Sequence, residues 1–173
     1  QGHNLVIRRG EAARLERYWH LDMTPRNNGS AEDLGQELME RLKEAVRLRM
    51  ISDVPLGAFL SGGVDSSAVV ALMAGLSDQP VNSYSVAVSD PAYDESSYAN
   101  AIAERYRTHH ATREIAPDAI DLVDRLTDFY DEPFGDSSAM PTYRVCNHAR
   151  TGVTVALSGD GGDEMIAGYR RYG

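Results

Sequence analysis

The sequence predicts an α/β fold: a doubly wound, mainly parallel sheet covered by helices on both faces. Three observations predict it. Short apolar runs alternate with helix-period segments from about residue 50 onward. The run VTVAL (153–157) has the composition of a strand buried on both faces. Two of the strands end in glycine-rich loops that open helices, SGGVDSS after Leu60 and SGDGGDE after Leu157. In such sheets ligands bind beyond the carboxyl ends of the strands, where the strand order reverses, so the two loops are expected to flank one crevice.

Taken in order, residues 4–9 and 13–19 alternate apolar and polar around Gly10 and read as a hairpin. Arg8, Arg9, Arg14 and Arg17 make it the only basic region, read as a solvated face. TPRNNGS (24–30) is linker-like. Ser30 can then cap a helix, with Asp33 near its first turn, and Leu34, Leu38, Leu42, Ala45 and Val46 form one apolar stripe through about Met50. LGAFL (56–60) is a strand, SSAVVALMAGL (66–76) a helix, NSYSVAV (82–88) a strand, ESSYANAIAERY (95–106) a helix and TREI (112–115) a short strand. DAIDLVDRLTDFY (118–130) is a helix with Ile120, Val123, Leu126 and Tyr130 inward. Its aspartates, Asp118, Asp121, Asp124 and Asp128, read as a solvated face rather than a metal site. A helix over 139–150 leads to the strand 153–157, and GYRRYG (168–173) looks like the opening of another helix.

The 173 residues suffice for one domain with a core, since roughly 70% of the unfolded surface can be buried at this size. Hydrophobic residues make up 42% and charged residues 25%, values of an ordinary globular domain. No apolar run approaches the roughly 20 residues needed to span a bilayer, and no secretory signal opens the chain. The single cysteine, Cys146, excludes an internal disulfide and fits a cytoplasmic protein. It reads as a packed helical thiol rather than a nucleophile, because His148, two residues away, lies on a different helical face. The net charge of −9 argues against nucleic acid as the partner. An acidic protein can still bind a polyphosphate if Mg²⁺ bridges the two. The chain begins without methionine, and both ends read as cut from a larger protein.

In Ser61-Gly62-Gly63-Val64-Asp65-Ser66-Ser67 the glycines let an anion approach the backbone closely. The helix that follows aims unpaired N–H groups at the same point, and three serines add hydroxyls. The loop lacks the Gly-Lys-Ser/Thr ending of a Walker loop and the Gly-x-Gly-x-x-Gly of a dinucleotide fold. Asp65 beside phosphates implies a cation between them, so Mg²⁺ is expected there. The bland alternative is a tight strand-to-helix turn with Asp65 as a helix cap.

SGGVDSS resembles the PP-motif of the ATP pyrophosphatases. Together VPLGAFLSGGVDSSAVVALM, YDESSYA and LSGDGGDEMIAGY resemble the synthetase domain of the glutamine-dependent asparagine synthetases. The resemblance implies the PP-loop (adenine nucleotide alpha hydrolase-like) fold. It makes residues 1–29 the end of a glutaminase domain and a linker, and residues 30–173 the first part of an ATP-binding synthetase domain. It further implies adenylation of the aspartate side-chain carboxylate by ATP, with release of pyrophosphate and displacement of AMP by ammonia from glutamine. Carried over by position, Ser61, Gly62, Gly63, Asp65, Ser66 and Ser67 would cradle the β,γ-phosphates. Leu60 and Val86 would bracket the adenine, largely through backbone groups, and Ser158 and Gly159 would contact AMP. Asp163 would share Mg²⁺ with Asp65. Asp160 stands where the family has glutamate, near the acyl-adenylate, and leaves the acceptor open. Asp94 and Glu95 are either a helix N-terminus enriched in carboxylates or metal ligands. DEPFGDSSAMP (131–141) is expected to line the acceptor pocket.

The family's supporting lysine would lie beyond Gly173, because the only lysine here is Lys43, and the glutaminase cysteine would precede Gln1. Alone, these residues are expected to bind nucleotide weakly and to lack full turnover. The resemblance is compatible with a homodimer. Two alternatives stand beside it: a related amidotransferase or β-lactam-synthetase-like enzyme acting on another carboxylate, and a non-catalytic nucleotide-binding module.

Overall fold

A computed structural model of the chain describes residues 1–22, 24, 29–92, 94–115, 120–130, 132 and 134–169, with the side chains of residues 120 and 121 left aside. The chain divides into two compact units, residues 1–38 and 39–173.

The first unit contains a hairpin of β1 (His3–Val6) and β2 (Arg14–Arg17), paired antiparallel from His3 with Arg17 to Val6 with Arg14. Its strands are shorter than the alternating pattern suggests. Helix α1 (Ala31–Arg49) begins here and continues past residue 38. Ser30 caps it as expected: Asp33 N–H donates to Ser30 Oγ at 3.1 Å, and Ser30 Oγ donates to the Asp33 carboxylate at 2.6 Å. The predicted stripe is buried only in its second half. Val46 is in the core, whereas Leu34 and Leu38 are 38% and 45% exposed.

The second unit is built on a four-stranded parallel sheet. Its strands are β3 (Leu56–Phe59), β4 (Asn82–Val88), β5 (His109–Ile115) and β6 (Val155–Leu157), in the order β5-β4-β3-β6. Successive residues of β3 face opposite layers. Ala58 and, just beyond the strand, Leu60 join Val46 of α1, Val70 and Met73 of α2 (Val64–Leu76), and Ala99 and Ala103 of α3 (Ser96–Tyr106). Phe59 packs on the other side with Tyr84, Val153 and Ala149 of α5 (Ala139–Ala149). The sheet is therefore covered on both faces, as doubly wound sheets are. Both α4 (Ile120–Phe129) and α5 lie in the connection from β5 to β6.

Three expectations need correction. In α4, Leu122 is buried and Val123 is 49% exposed, so the inner face is rotated by one position. Strand β5 starts at His109, not residue 112, because all seven of its residues pair with β4, from Asn82–His109 to Val88–Ile115. Cys146 lies on α5 but is exposed rather than packed. Asp124 and Asp128 are exposed, as a solvated face requires, whereas Asp118 and the side chains of Ile120 and Asp121 lie outside the described residues. The same holds for most of the predicted linker (25–28) and for residues 170–173 of the expected last helix. Among the described residues no helix is long and apolar enough to cross a membrane.

Candidate active site

From β3 the chain moves outward through β4 to β5, then returns to pair β6 against the opposite edge of β3, Leu56 with Val155 and Ala58 with Leu157. The crevice at this reversal is where a doubly wound sheet binds ligands. Both glycine-rich loops emerge there, and they touch.

The first loop turns at Gly62, whose φ of +90° belongs to the region glycine favours. A Cβ there would also sit 2.5 Å from Tyr98 Cβ and 2.6 Å from Ala99 N, so α3 packs directly on the loop. Gly63 is the N-cap of α2 in an extended conformation, and no side chain caps the first-turn N–H groups. Serines brace the loop from within. Ser66 Oγ donates to Gly63 O at 3.2 Å and accepts from Ser61 N at 3.3 Å, and Ser61 Oγ accepts from Gly63 N at 3.2 Å. Ser67 Oγ is buried without a partner.

The second loop rests on the first. A Cβ on Gly159 would lie 2.6 Å from Ser66 N and 2.8 Å from the Asp65 carbonyl carbon, and one on Gly162 would lie 2.5 Å from Asp65 Oδ2. Only glycine lets the loop after β6 settle onto the start of α2 and enclose the Asp65 carboxylate. Asp160 Oδ2 accepts from Ser158 Oγ at 3.0 Å. Asp163 is the second residue of the short α6 (Gly162–Ile166), its carboxylate against the Cα of Gly168. Tyr169 donates to Glu164 at 2.7 Å.

A cleft of about 670 Å³ runs between the loops, and Ser61, Gly63, Asp65, Ser66, Glu95, Ser158, Gly159, Asp160 and Asp163 all line it. A second cleft of about 280 Å³ adjoins it at Ser61 and Glu95 and is lined by Leu60 and Val86 as well. The sequence-selected residues thus collect around two connected spaces, with Gly62, Ser67 and Asp94 outside both linings. Asp94 accepts from Ser96 N at 3.2 Å and Ser96 Oγ at 2.8 Å, and these bonds hold its carboxyl below the usual carboxylate range. It serves the start of α3. Leu60 N–H donates to Tyr84 O at 2.9 Å, so this residue keeps only its carbonyl free for a base.

Of the segment 131–141, Pro141 reaches the smaller cleft, while Glu132, Phe134, Asp136, Ala139 and Met140 line a separate groove. Residues 131 and 133 lie outside the described set. Thr142 and Val145, one helical turn apart on α5, line both clefts and carry no chemical signature in the sequence. Nearby, partial burial and then the charge of Asp160 push the Cys146 thiol up, which disfavours a thiolate nucleophile.

Among the described residues no lysine or arginine lines either cleft, whereas Asp65, Glu95, Asp160, Asp163 and Glu164 line the larger one. A cation beside these carboxylates would offset their repulsion of a polyphosphate. Carboxylate oxygens are the donors Mg²⁺ takes, and among the described residues no three metal-binding side chains converge. A Mg²⁺ sharing its remaining positions between phosphates and water fits that donor set.

The asparagine synthase family model matches residues 37–173. The chain is 44% identical over 158 residues to a putative glutamine-hydrolysing asparagine synthetase 2 of Methanocaldococcus jannaschii, covering 90% of this chain and 30% of that protein. It is 30% identical over 172 residues to the glutamine-hydrolysing asparagine synthetase 1 of Bacillus subtilis, covering 99% and 27%. The chain therefore spans less than a third of these relatives. Its fold is similar to that of an NH3-dependent NAD synthetase from Campylobacter jejuni, with a TM-score of 0.51 at 15% identity over 78% of this chain and 60% of the other.

Proposed function

The chain belongs to the asparagine synthase family, and from that premise we propose that it is the nucleotide-binding part of a ligase that makes asparagine. Residues 30–173 begin the synthetase domain, and residues 1–29 end a glutaminase domain and its linker. The ATP-dependent character follows the family; the adenylation step, its residues and Mg²⁺ are our reading. It is carried by one observation: two glycine loops interlock at the reversal of the sheet, with Asp65 enclosed between them and α2 uncapped.

A side-chain carboxylate oxygen of aspartate attacks the α-phosphorus of ATP. The new P–O bond forms as the bond to the β-phosphate bridging oxygen breaks, and pyrophosphate departs. Ammonia then adds to the acyl carbon, AMP leaves with the electron pair, and a proton is lost from nitrogen. On a loop shaped by Gly62 and Gly63, the uncapped first turn of α2 would offer the backbone N–H groups of Val64 and Asp65 to the leaving pyrophosphate. Ser61 and Ser66 hold that loop in shape, and Ser67 offers the buried hydroxyl that lacks a partner. Ser158 and Gly159 lie where the AMP part would sit, with Leu60 and Val86 at the base. Asp65 and Asp163 would hold Mg²⁺, which when bound neutralises phosphate charge. Asp160 faces the acyl centre and the incoming ammonia.

The test is pyrophosphate release from ATP by the full-length protein with aspartate and ammonia. Release that depends on both supports the reading, and none with any carboxylate tried would overturn it. The shorter Asp160 favours one second reading, a related amidotransferase or β-lactam-synthetase-like enzyme acting on another carboxylate. Release with a different acid and not with aspartate would establish that one.

A further inference from the structure

The two clefts share one wall, formed by Phe59, Ser61, Glu95, Thr142 and Val145, which line both of them. Phe59 and Val145 are apolar. The Ser61 hydroxyl is spent within its own loop, 3.0 Å from Ser66 Oγ and accepting from Gly63 N at 3.2 Å. Glu95 and Thr142 are left as the uncommitted polar groups, for neither side chain bonds to or pairs with a described residue. The Glu95 backbone is nonetheless fixed at the start of α3, because its carbonyl accepts from Tyr98 N at 3.0 Å and Ala99 N at 3.1 Å. Its neighbour Asp94 spends its carboxylate on Ser96, so Glu95 is the free acid of the two.

Glu95 also stands apart from the other acids of the site. Asp65, Asp160, Asp163 and Glu164 line only the larger cleft. Among the described residues Glu95 is the one carboxylate that lines the smaller cleft as well, and no three metal-binding side chains converge. With a base in the smaller cleft and phosphates in the larger, the sugar between them crosses the shared wall. A carboxylate has two acceptor oxygens, and a vicinal diol presents two O–H donors. Dinucleotide-binding folds likewise set an acidic side chain against a ribose hydroxyl.

Resting on the nucleotide reading above, we propose that Glu95 is a sugar-specificity residue that accepts from the 2′- and 3′-hydroxyls of ribose and selects ribonucleotides over deoxyribonucleotides. Calorimetry on the full-length protein at saturating Mg²⁺ tests it, with ATP, 2′-deoxy-ATP and 3′-deoxy-ATP as the probes. ATP should bind roughly tenfold more tightly than either deoxy form, the worth of one hydrogen bond to a charged group. In Glu95→Ala the three affinities should converge to within about twofold. In Glu95→Gln, whose amide oxygen still accepts, ATP should keep an advantage of about threefold. A metal ligand or a purely structural residue would instead weaken all three nucleotides alike, and an unchanged ratio in Glu95→Ala would overturn the proposal. Thr142→Val should leave the preference for ATP intact; its loss there, with Glu95→Ala unchanged, would also overturn the assignment. A wild type that binds all three equally refutes this proposal and leaves the nucleotide reading standing. If the wild type binds none of them, the nucleotide reading fails, and this proposal with it.

Discussion

Replacing Gly159 with alanine tests whether the interlock of the two loops makes the site. The added Cβ would stand 2.6 Å from Ser66 N, where ordinary contact begins at 3.4 Å, so the loops must part by about 0.8 Å. The atoms it meets at 2.6 and 2.8 Å are backbone, which cannot swing aside as a side chain can. Overpacking of this kind costs about 1–3 kcal/mol. The larger effect falls on chemistry, because misplacing reacting groups by about 1 Å can cost on the order of 100-fold. We therefore expect ATP-dependent pyrophosphate release by the full-length Gly159→Ala protein to fall by about 10- to 100-fold, with only a modest drop in thermal midpoint. Gly135→Ala is the matched control, since a Cβ there meets nothing within 4 Å. Pyrophosphate release in Gly159→Ala equal to that of the control would refute the interlock as the basis of the site.

Three further outcomes follow from other parts of the molecule. Asp65→Asn should raise the Mg²⁺ concentration needed for half-maximal ATP binding by roughly tenfold, while stability changes by less than about 1 kcal/mol, the usual worth of a carboxylate at a helix N-terminus; titration of nucleotide binding against Mg²⁺ measures it. The His110 imidazole is held below its ordinary 6.5 by burial, with the charge of His148 acting the same way and the Ser83 backbone bond opposing both. Its folded value lies below the unfolded one, so its share of stability is complete above pH 6.5 and is lost as the pH falls through the window beneath. Chemical denaturation from pH 8 to 5 should show that acid limb flattened in His110→Gln, and an unchanged limb would count against it. Gly35→Ala, in the interior of α1 with nothing within 4 Å, should stabilise by about 1 kcal/mol, read as a shift of the denaturation midpoint at constant slope.

The sheet and the two loops were legible because local chemistry writes them. Gly62 needs its positive φ, Ser30 and Asp33 cap a helix three residues apart, and buried strands alternate with amphipathic helices. Distance between segments leaves no such trace. Nothing in SGDGGDE says that Gly159 rests on Ser66, and Thr142 and Val145 look like any residues on one helix face. Ser83, Ser85 and His110 are polar yet satisfy one another inside the sheet, and polar His109 and His110 carry no apolar signal for the start of β5. In α4, Leu122 and Val123 are equally apolar neighbours, so the sequence pattern could not settle which one turns inward.

The contact between Gly159 and the first turn of α2 joins segments separated by most of the second unit. Loop closure over such a span is entropically costly and comes late in folding when local contacts can form first. Strands β3 and β4 with α2 and α3 can assemble from near neighbours, but β3 keeps an unpaired edge until the chain returns as β6. The interlocked loops that we propose to hold phosphate would thus be completed by the same event that seals that edge. Bound nucleotide would then protect the β3–β6 amides from hydrogen exchange more than those of β4–β5, recording in the ligand's own footprint which step of assembly came last.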